Sequence, residues 1–441
     1  MFKKFFKSKV NLVLTIVVGV IAVFLMLFLS PLGHKIAKNI IQSKVDKYLP
    51  NSKIVYLDYG INNFSLNIKY QKSILKIYGQ MIPLNAMFET QIDNLSELLK
   101  DYRGSIGLNG KVYKEGRFLV FDGVASFAQS YLNFKAYLDK KLEKFNGSGS
   151  DFVISDIFYM TYINFPFIKG KTDIEVNKTS SSFLITFNSH GFINKTIYTP
   201  FSAVTKVVMK SIKDLSYEVN LKTNLGHFFL KGKKVYNKWA YDFKTSDLDL
   251  KKLKPILLYP FATKIELLGS YESVDDIYKF KNRYLEGYKD GSIKISFKMP
   301  GNKFFEYLGI KEVFEGIVSG TISIDKSGHF DAISNNSKFM PNFYTRKIKS
   351  LIGLDITKQQ IGKIFLKGNF NKNRLTFDML SSDKNITFSV KNGVLNYNGK
   401  FNFILYIREG NSVYKLKISN YSVKVLEKKD VKEVDEKVLV F

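Results

Sequence analysis

From Lys53 onward, apolar and polar residues change places at every second position. Phe64, Leu66, Ile68 and Tyr70 alternate with Ser65, Asn67 and Lys69, and Leu132, Phe134, Ala136 and Leu138 keep the same rhythm. The clearest run is Ile293, Ile295, Phe297 and Met299, interleaved with Ser292, Lys294, Ser296 and Lys298. Near the end come Leu375/Phe377/Met379, Ile386/Phe388/Val390, Phe401/Phe403/Leu405/Ile407 and Tyr414/Leu416/Ile418. Successive side chains of a strand point to opposite faces, so each run describes a strand with one buried and one solvated face, the habit of antiparallel sheets. The runs are short and rich in aromatic and β-branched residues. Turn signals set them apart, among them Asn146-Gly147-Ser148-Gly149, Lys391-Asn392-Gly393 and Asn398-Gly399. The pattern predicts a mainly β body, built as an antiparallel meander.

The first 50 residues follow other periods. Lys3, Lys4, Lys7 and Lys9 precede an uncharged run from Asn11 to Leu32. About 20 apolar helical residues span a bilayer core, and lysines on one side keep that side in the cytoplasm. A cleaved signal peptide has a shorter apolar core closed by a small-x-small site; this run ends Phe28-Leu29-Ser30-Pro31. The reading is an uncleaved N-terminal transmembrane helix that delivers the rest of the chain across the membrane. Leu32, Ile36, Ile40, Ile41, Val45, Tyr48 and Leu49 then form a stripe at helical spacing, stopped at Pro50. That helix is expected to lay its stripe on the first strands.

A weak repeat groups the strands. Short apolar segments, expected to be helical, lead to a glycine-marked turn and then to strands: Leu95–Leu99 before Gly104 and Gly110, Ile157–Phe167 before Gly170, and Leu253–Phe261 before Gly269. Phe304–Phe314 precedes Gly316 and Gly320 in the same way, and Leu351–Ile361 precedes Gly362 and Gly368. The intervals are unequal, so the array is degenerate, and modules stacked in line give an elongated sheet. The expected segments are a cytoplasmic stub and anchor over 1–33, an amphipathic helix over 34–50, and a first β part over 51–280. A second β part covers 281–426, with a break near Lys281–Gly291, and a charged tail covers 427–441. The tail ends Val438-Leu439-Val440-Phe441, which reads as a solvated end or as a docking strand for a partner's sheet edge.

Charge changes the picture in one respect. The 67 Lys and Arg outnumber the 39 Asp and Glu, for a formal net charge of +28, which favours anionic partners such as lipid head groups. A lysine-rich proteome explains the same excess, and a body exported across a membrane is not expected to meet nucleic acid. Cysteine is absent, which removes disulfides, thiolate metal sites and cysteine nucleophiles. His34, His190, His227 and His329 are far apart, Asp275-Asp276 has no metal-loop pattern, and no nucleophile elbow, Walker loop or Rossmann fingerprint occurs. No cofactor or enzyme activity is expected. Trp239, the sole tryptophan, is expected to be packed in a strand.

The anchor, the segment "GHKIAKNIIQSKVDKYLPNSKIVYLDYGINNFSLNI" and later passages such as "GKVYKEGRFLVFDGVASFAQSYLNFKAYL" and "GKIFLKGNFNKNRLTFDMLSSDKNITFSVKNGVLNYNGKF" resemble the AsmA-like and TamB-like group of bacterial envelope proteins. The likeness is one of architecture over most of the chain, which is short for the group. It implies a single-pass inner-membrane protein with its body in the periplasm. Its repeated β-modules would curl into a taco-shaped, apolar groove that shelters or conducts phospholipid between membranes. The expected groove lining is Phe64, Leu66, Ile68, Leu132, Phe134, Ile293, Ile295, Phe297, Leu375, Phe377, Phe401 and Phe403. The expected partners are phospholipid or another anionic lipid, the inner membrane, and an outer-membrane or envelope protein. The same alternation also suits closed sandwiches in which these residues pack on each other, and that alternative describes a periplasmic scaffold or assembly protein.

Overall fold

The computed structural model describes residues 33–430, apart from 49–50, 61, 98–102, 140, 161–165, 179–180, 212, 237, 254–256, 258, 260, 262 and 384. The expected anchor therefore lies, except for Gly33, outside the described residues. So does the expected tail beyond Asp430. Among the described residues, no helix is long and apolar enough to cross a membrane.

The body is mainly β and antiparallel, with few and short helices. It divides into two compact units, Met1–Asn224 with Phe229–Trp239, and Leu225–Phe228 with Ala240–Phe441. In the first unit, helix α1 (Gly33–Tyr48) is followed by β1 (Ser52–Tyr59), β2 (Asn63–Tyr70), β3 (Ser73–Gln80) and β4 (Asn85–Ile92). Then come β5 (Ile106–Glu115), β6 (Phe118–Phe127), β7 (Ser130–Asp139), β8 (Lys141–Val153) and helix α2 (Ile154–Met160). The unit continues with β9 (Ile168–Lys178), β10 (Phe183–Asn194), β11 (Tyr198–Ser211) and β12 (Asp214–Thr223), while β13 (Gly226–Val235) falls at the division. From β1 to β12 every strand pairs antiparallel with the next.

The second unit opens with β14 (Lys238–Asp249), whose first residues count with the first unit, then β15 (Lys264–Glu272), β16 (Ile277–Lys281), β17 (Leu285–Asp290) and β18 (Ser292–Pro300). Helix α3 (Gly301–Leu308) precedes β19 (Phe314–Ile324) and β20 (Gly328–Phe339), and helix α4 (Phe343–Ile352) precedes β21 (Gly362–Phe370) and β22 (Arg374–Ser382). The last strands are β23 (Ile386–Asn396), β24 (Phe401–Glu409), β25 (Ser412–Ser419) and β26 (Ser422–Asp430). These strands also pair in sequence, neighbour to neighbour. Lys281 ends β16 and most of the passage to Gly291 forms β17, so hairpins fill that stretch.

The helices act as local covers. Ile41 and Val45 of α1 are fully buried against Ile54, Leu66 and Ile77. Gln42, on the same helix, accepts a hydrogen bond from the Ile54 N–H at 2.8 Å and donates to the Ser52 carbonyl at 2.7 Å. It thereby satisfies backbone groups of β1, which would otherwise be exposed as a sheet edge. Helix α4 starts in a reciprocal cap: the Asn342 side chain accepts from the Thr345 N–H at 3.0 Å, and the Asn342 N–H donates to Oγ1 of Thr345 at 2.8 Å. Its buried Ile348 joins Phe305 of α3 in the core of the second unit.

The glycines depart from the expectation that they mark turns. Gly107 and Gly110 lie within β5, Gly147 and Gly149 within β8, Gly269 within β15 and Gly368 within β21. A Cβ on Gly287 would come within 2.7 Å of the Phe280 ring, and one on Gly393 within 2.7 Å of the Phe377 ring. The missing side chain leaves a floor on which a neighbour's ring lies, an arrangement known to rescue glycine in strands. Asn392-Gly393 is accordingly a bulge inside β23, with Asn392 at φ 51°, and not a turn. Asn398-Gly399 is a turn, with Gly399 at φ 83°. The β7–β8 hairpin closes near Asp139 and Lys141 instead of at Asn146–Gly149.

Candidate functional site

Cross-strand register lines the apolar residues up in rows. In the first unit one row runs Leu57, Leu66, Ile77, Phe88, Gly110, Gly123, Phe134, Gly147, Val176, Ile185, Val207 and Tyr217, one residue from each of β1 to β12. In the second unit a row runs Leu285, Phe297, Gly320, Ala332, Leu366, Met379, Val390, Leu405, Leu416 and Val425 across β17 to β26. Because residues opposite each other in register share a face, each unit has one face that is apolar from strand to strand.

The twelve residues expected from the sequence fall on these two faces. Phe64, Leu66, Ile68, Leu132 and Phe134 share the face of the first unit, and Ile293, Ile295, Phe297, Leu375, Phe377, Phe401 and Phe403 share that of the second. Their surroundings differ. Phe64, Leu66 and Ile68 are buried in a core with Ile41 and Val45 of α1. Phe297 stacks on Phe304 of α3, ring centroids 5.8 Å apart, and Leu375 is buried with Tyr259 and Phe370. Leu132, Phe134, Ile293, Ile295, Phe377, Phe401 and Phe403 are half-buried. The protein's own helices thus fill part of each apolar face.

One stretch is less filled, although helix α2 packs against β9 and Phe183 of β10 against the core of the first unit. On β9 to β12 the face carries Ile174, Val176, Phe187, Ile185, Val207, Met209, Tyr217, Val219 and Leu221, all half-buried. Among the described residues, no apolar side chain of these four strands is buried. The opposite face is mixed: Glu175 lies beside Thr186, Lys206 beside Glu218 and Lys171 beside His190, with Leu184, Val204 and Val208 among them. Polar positions interrupt the apolar face at Thr205, between Phe187 and Val219, and where the Ser189 hydroxyl donates to Oγ1 of Thr172 at 2.8 Å. Burial pushes the Tyr217 phenol up, as expected for a hydroxyl at the edge of an apolar strip. With strands about 4.8 Å apart, the four strands make an apolar strip about 14 Å across.

The signal for this strip in the sequence is the alternation of Leu215, Tyr217, Val219 and Leu221 with Ser216, Glu218 and Asn220. On β11 the signal is blurred by adjacent Val207 and Val208, of which Val208 is 40 % exposed on the other face. Trp239, expected to be packed, is 39 % exposed; it lies against Tyr217 with ring centroids 6.0 Å apart and under the Lys234 ammonium. His190, His227 and His329 are exposed strand residues. Among the described residues, no group of three or more His, Asp or Glu side chains is arranged to hold a metal.

No protein-family model, curated protein or solved structure matches this chain.

Proposed function

We propose that the chain is a membrane-anchored periplasmic protein of AsmA-like type that binds or conducts phospholipid along an apolar β-groove in envelope homeostasis. The observation that carries the reading is the strip on β9 to β12, where four strands present an apolar face on which, among the described residues, no apolar side chain is buried. An apolar face needs a partner, and an acyl chain is one that requires no shaped pocket, since each methylene removed from water contributes about 0.8 kcal/mol wherever it lies. The N-terminal basic residues and apolar run support delivery to the periplasmic side of an inner membrane. On this reading no enzyme chemistry is involved, and an outer-membrane or envelope protein completes the route.

A second reading is a non-enzymatic periplasmic scaffold with closed β-domains, and the filled cores beneath α1, α3 and α4 favour it. A photo-crosslinking residue placed at Val207 or at Val208 separates the two in living cells. Lipid carriage predicts phospholipid adducts at Val207 and few at Val208. Equal labelling, or none at either position, would favour the scaffold.

A further inference from the structure

A second feature lies wholly within the second unit and does not depend on the apolar strip. A cleft of about 400 Å³ opens between the start of β15, the β16–β17 turn and α3. Five of its fourteen lining residues are basic, against 67 of 441 in the chain, and two are acidic, against 39 of 441. The lining thus carries an excess of three positive charges.

One of the two carboxylates is already engaged. Glu306 accepts from the Lys303 ammonium at 2.6 Å and from the Thr263 hydroxyl at 3.2 Å, and the Lys303 ammonium beside it holds its carboxyl below the usual range. That leaves Lys244, Lys264, Lys281 and Arg283 facing Glu266 alone. Among the described residues, none of these four cations has a carboxylate within 4.0 Å. Lys244 and Lys281 flank Leu268 in one cross-strand row, so the charges are held near one another by the sheet. Gathered cations repel one another and raise the local potential, which an anion relieves.

The cleft is also ordered before any ligand arrives. Oδ1 of Asn282 accepts from the N–H groups of Tyr284 and Leu285 at 2.8 and 2.9 Å, which fixes the β16–β17 turn, and its Nδ2 donates to the Tyr307 hydroxyl at 3.4 Å. The Arg283 guanidinium lies 5.4 Å from the centroid of the Tyr284 ring, which orients its planar fork. A planar fork with several ammonium groups around it suits a phosphate better than a carboxylate, because phosphate offers more oxygens and more charge.

We propose that this cleft binds a phosphate-bearing anion, with Lys281 and Arg283 gripping the phosphate and Lys244 and Lys264 neutralising its remaining charge. Its size fits a small phosphorylated molecule or the head group of an anionic lipid, and both share this chemistry.

The test uses the full chain in two arms. Calorimetric titration measures inorganic phosphate and glycerol 3-phosphate; flotation measures vesicles of phosphatidylglycerol against phosphatidylcholine. Each is run on the wild type, on Lys281→Gln with Arg283→Gln, on Lys244→Gln with Lys264→Gln, and on Lys424→Gln with Lys428→Gln, which removes the same charge from β26. We expect saturable binding that either cleft pair weakens at least tenfold and the β26 pair changes less than twofold. Loss confined to the soluble arm identifies a free phosphorylated ligand, and loss in the vesicle arm identifies a head group; either supports the site. No saturable binding in either arm, or equal weakening by the β26 pair, overturns it. Lys281 and Arg283 are exposed, so thermal unfolding should be unchanged in that pair, and agreement with the second pair guards against a folding artefact.

Discussion

Val207→Asp is the substitution that most directly tests lipid carriage. Val207 sits mid-row between Ile185 and Tyr217, half-buried on the apolar strip of β9 to β12. Fully burying a valine is worth about 1.5–3 kcal/mol, so losing half of that burial costs about 1 kcal/mol. The poor strand propensity of aspartate adds up to about 1 kcal/mol. The total of about 1–2 kcal/mol lies well inside the roughly 5–15 kcal/mol that stabilises a domain, so the unit should stay folded. An acyl chain on the strip fares worse. With about three methylenes displaced at ~0.8 kcal/mol each, binding weakens by about 2.4 kcal/mol, or roughly 50-fold. The assay is mass spectrometry of phospholipid per protein after detergent-free purification, with Val208→Asp as the matched control on the other face. The reasoning fails if a folded Val207→Asp protein keeps the wild-type lipid ratio, or if Val208→Asp loses as much.

Other perturbations test the surrounding structure. Phe297→Asp places a carboxylate in a core site only 7 % exposed and removes the ring stacked on Phe304. Phe→Ala in a core already costs about 3–5 kcal/mol, so little folded protein should survive, and wild-type urea resistance would contradict the packing. Gln42→Ala removes both contacts to β1 and should cost about 1–2 kcal/mol, read as roughly tenfold faster hydrogen exchange at the Ile54 amide; unchanged exchange would show that α1 does not seal this edge. The Lys349 ammonium, at 2.8 Å, and the Thr357 hydroxyl hold the Asp355 carboxyl down to about 2. A carboxyl depressed in the folded state contributes its stability above the unfolded value near 3.9 and loses it as pH falls toward 2. Asp355→Asn should therefore flatten the acid sensitivity of the second unit between about pH 4 and 2, and an unchanged acid slope in thermal melts would count against this pair.

The period-two alternation determined by itself that the body is β, that the strands are antiparallel and which residues share a face. Ile293, Ile295 and Phe297 read correctly as one face because side-chain direction in a strand depends only on parity. Helix α1 was legible for the same local reason, in the spacing of Ile41 and Val45. Glycine misled, since a residue without a side chain serves a turn and a ring-bearing floor equally well, and only the partner strand shows which: Gly287 lies opposite Phe280, as Gly399 lies at a chain reversal. Leu66 and Val207 carry the same alternation signal, yet the first is fully buried in the core beneath α1 and the second is only half-buried. Lys244, Lys264, Lys281 and Arg283 look like scattered charges along the chain until strand pairing and the turn fixed by Asn282 gather them around one cleft. Periodicity is a property of neighbours in sequence, so it fixed the strands and their faces; cover and convergence depend on residues far apart in sequence, so only the tertiary structure decided which apolar residues are sealed and which charges meet.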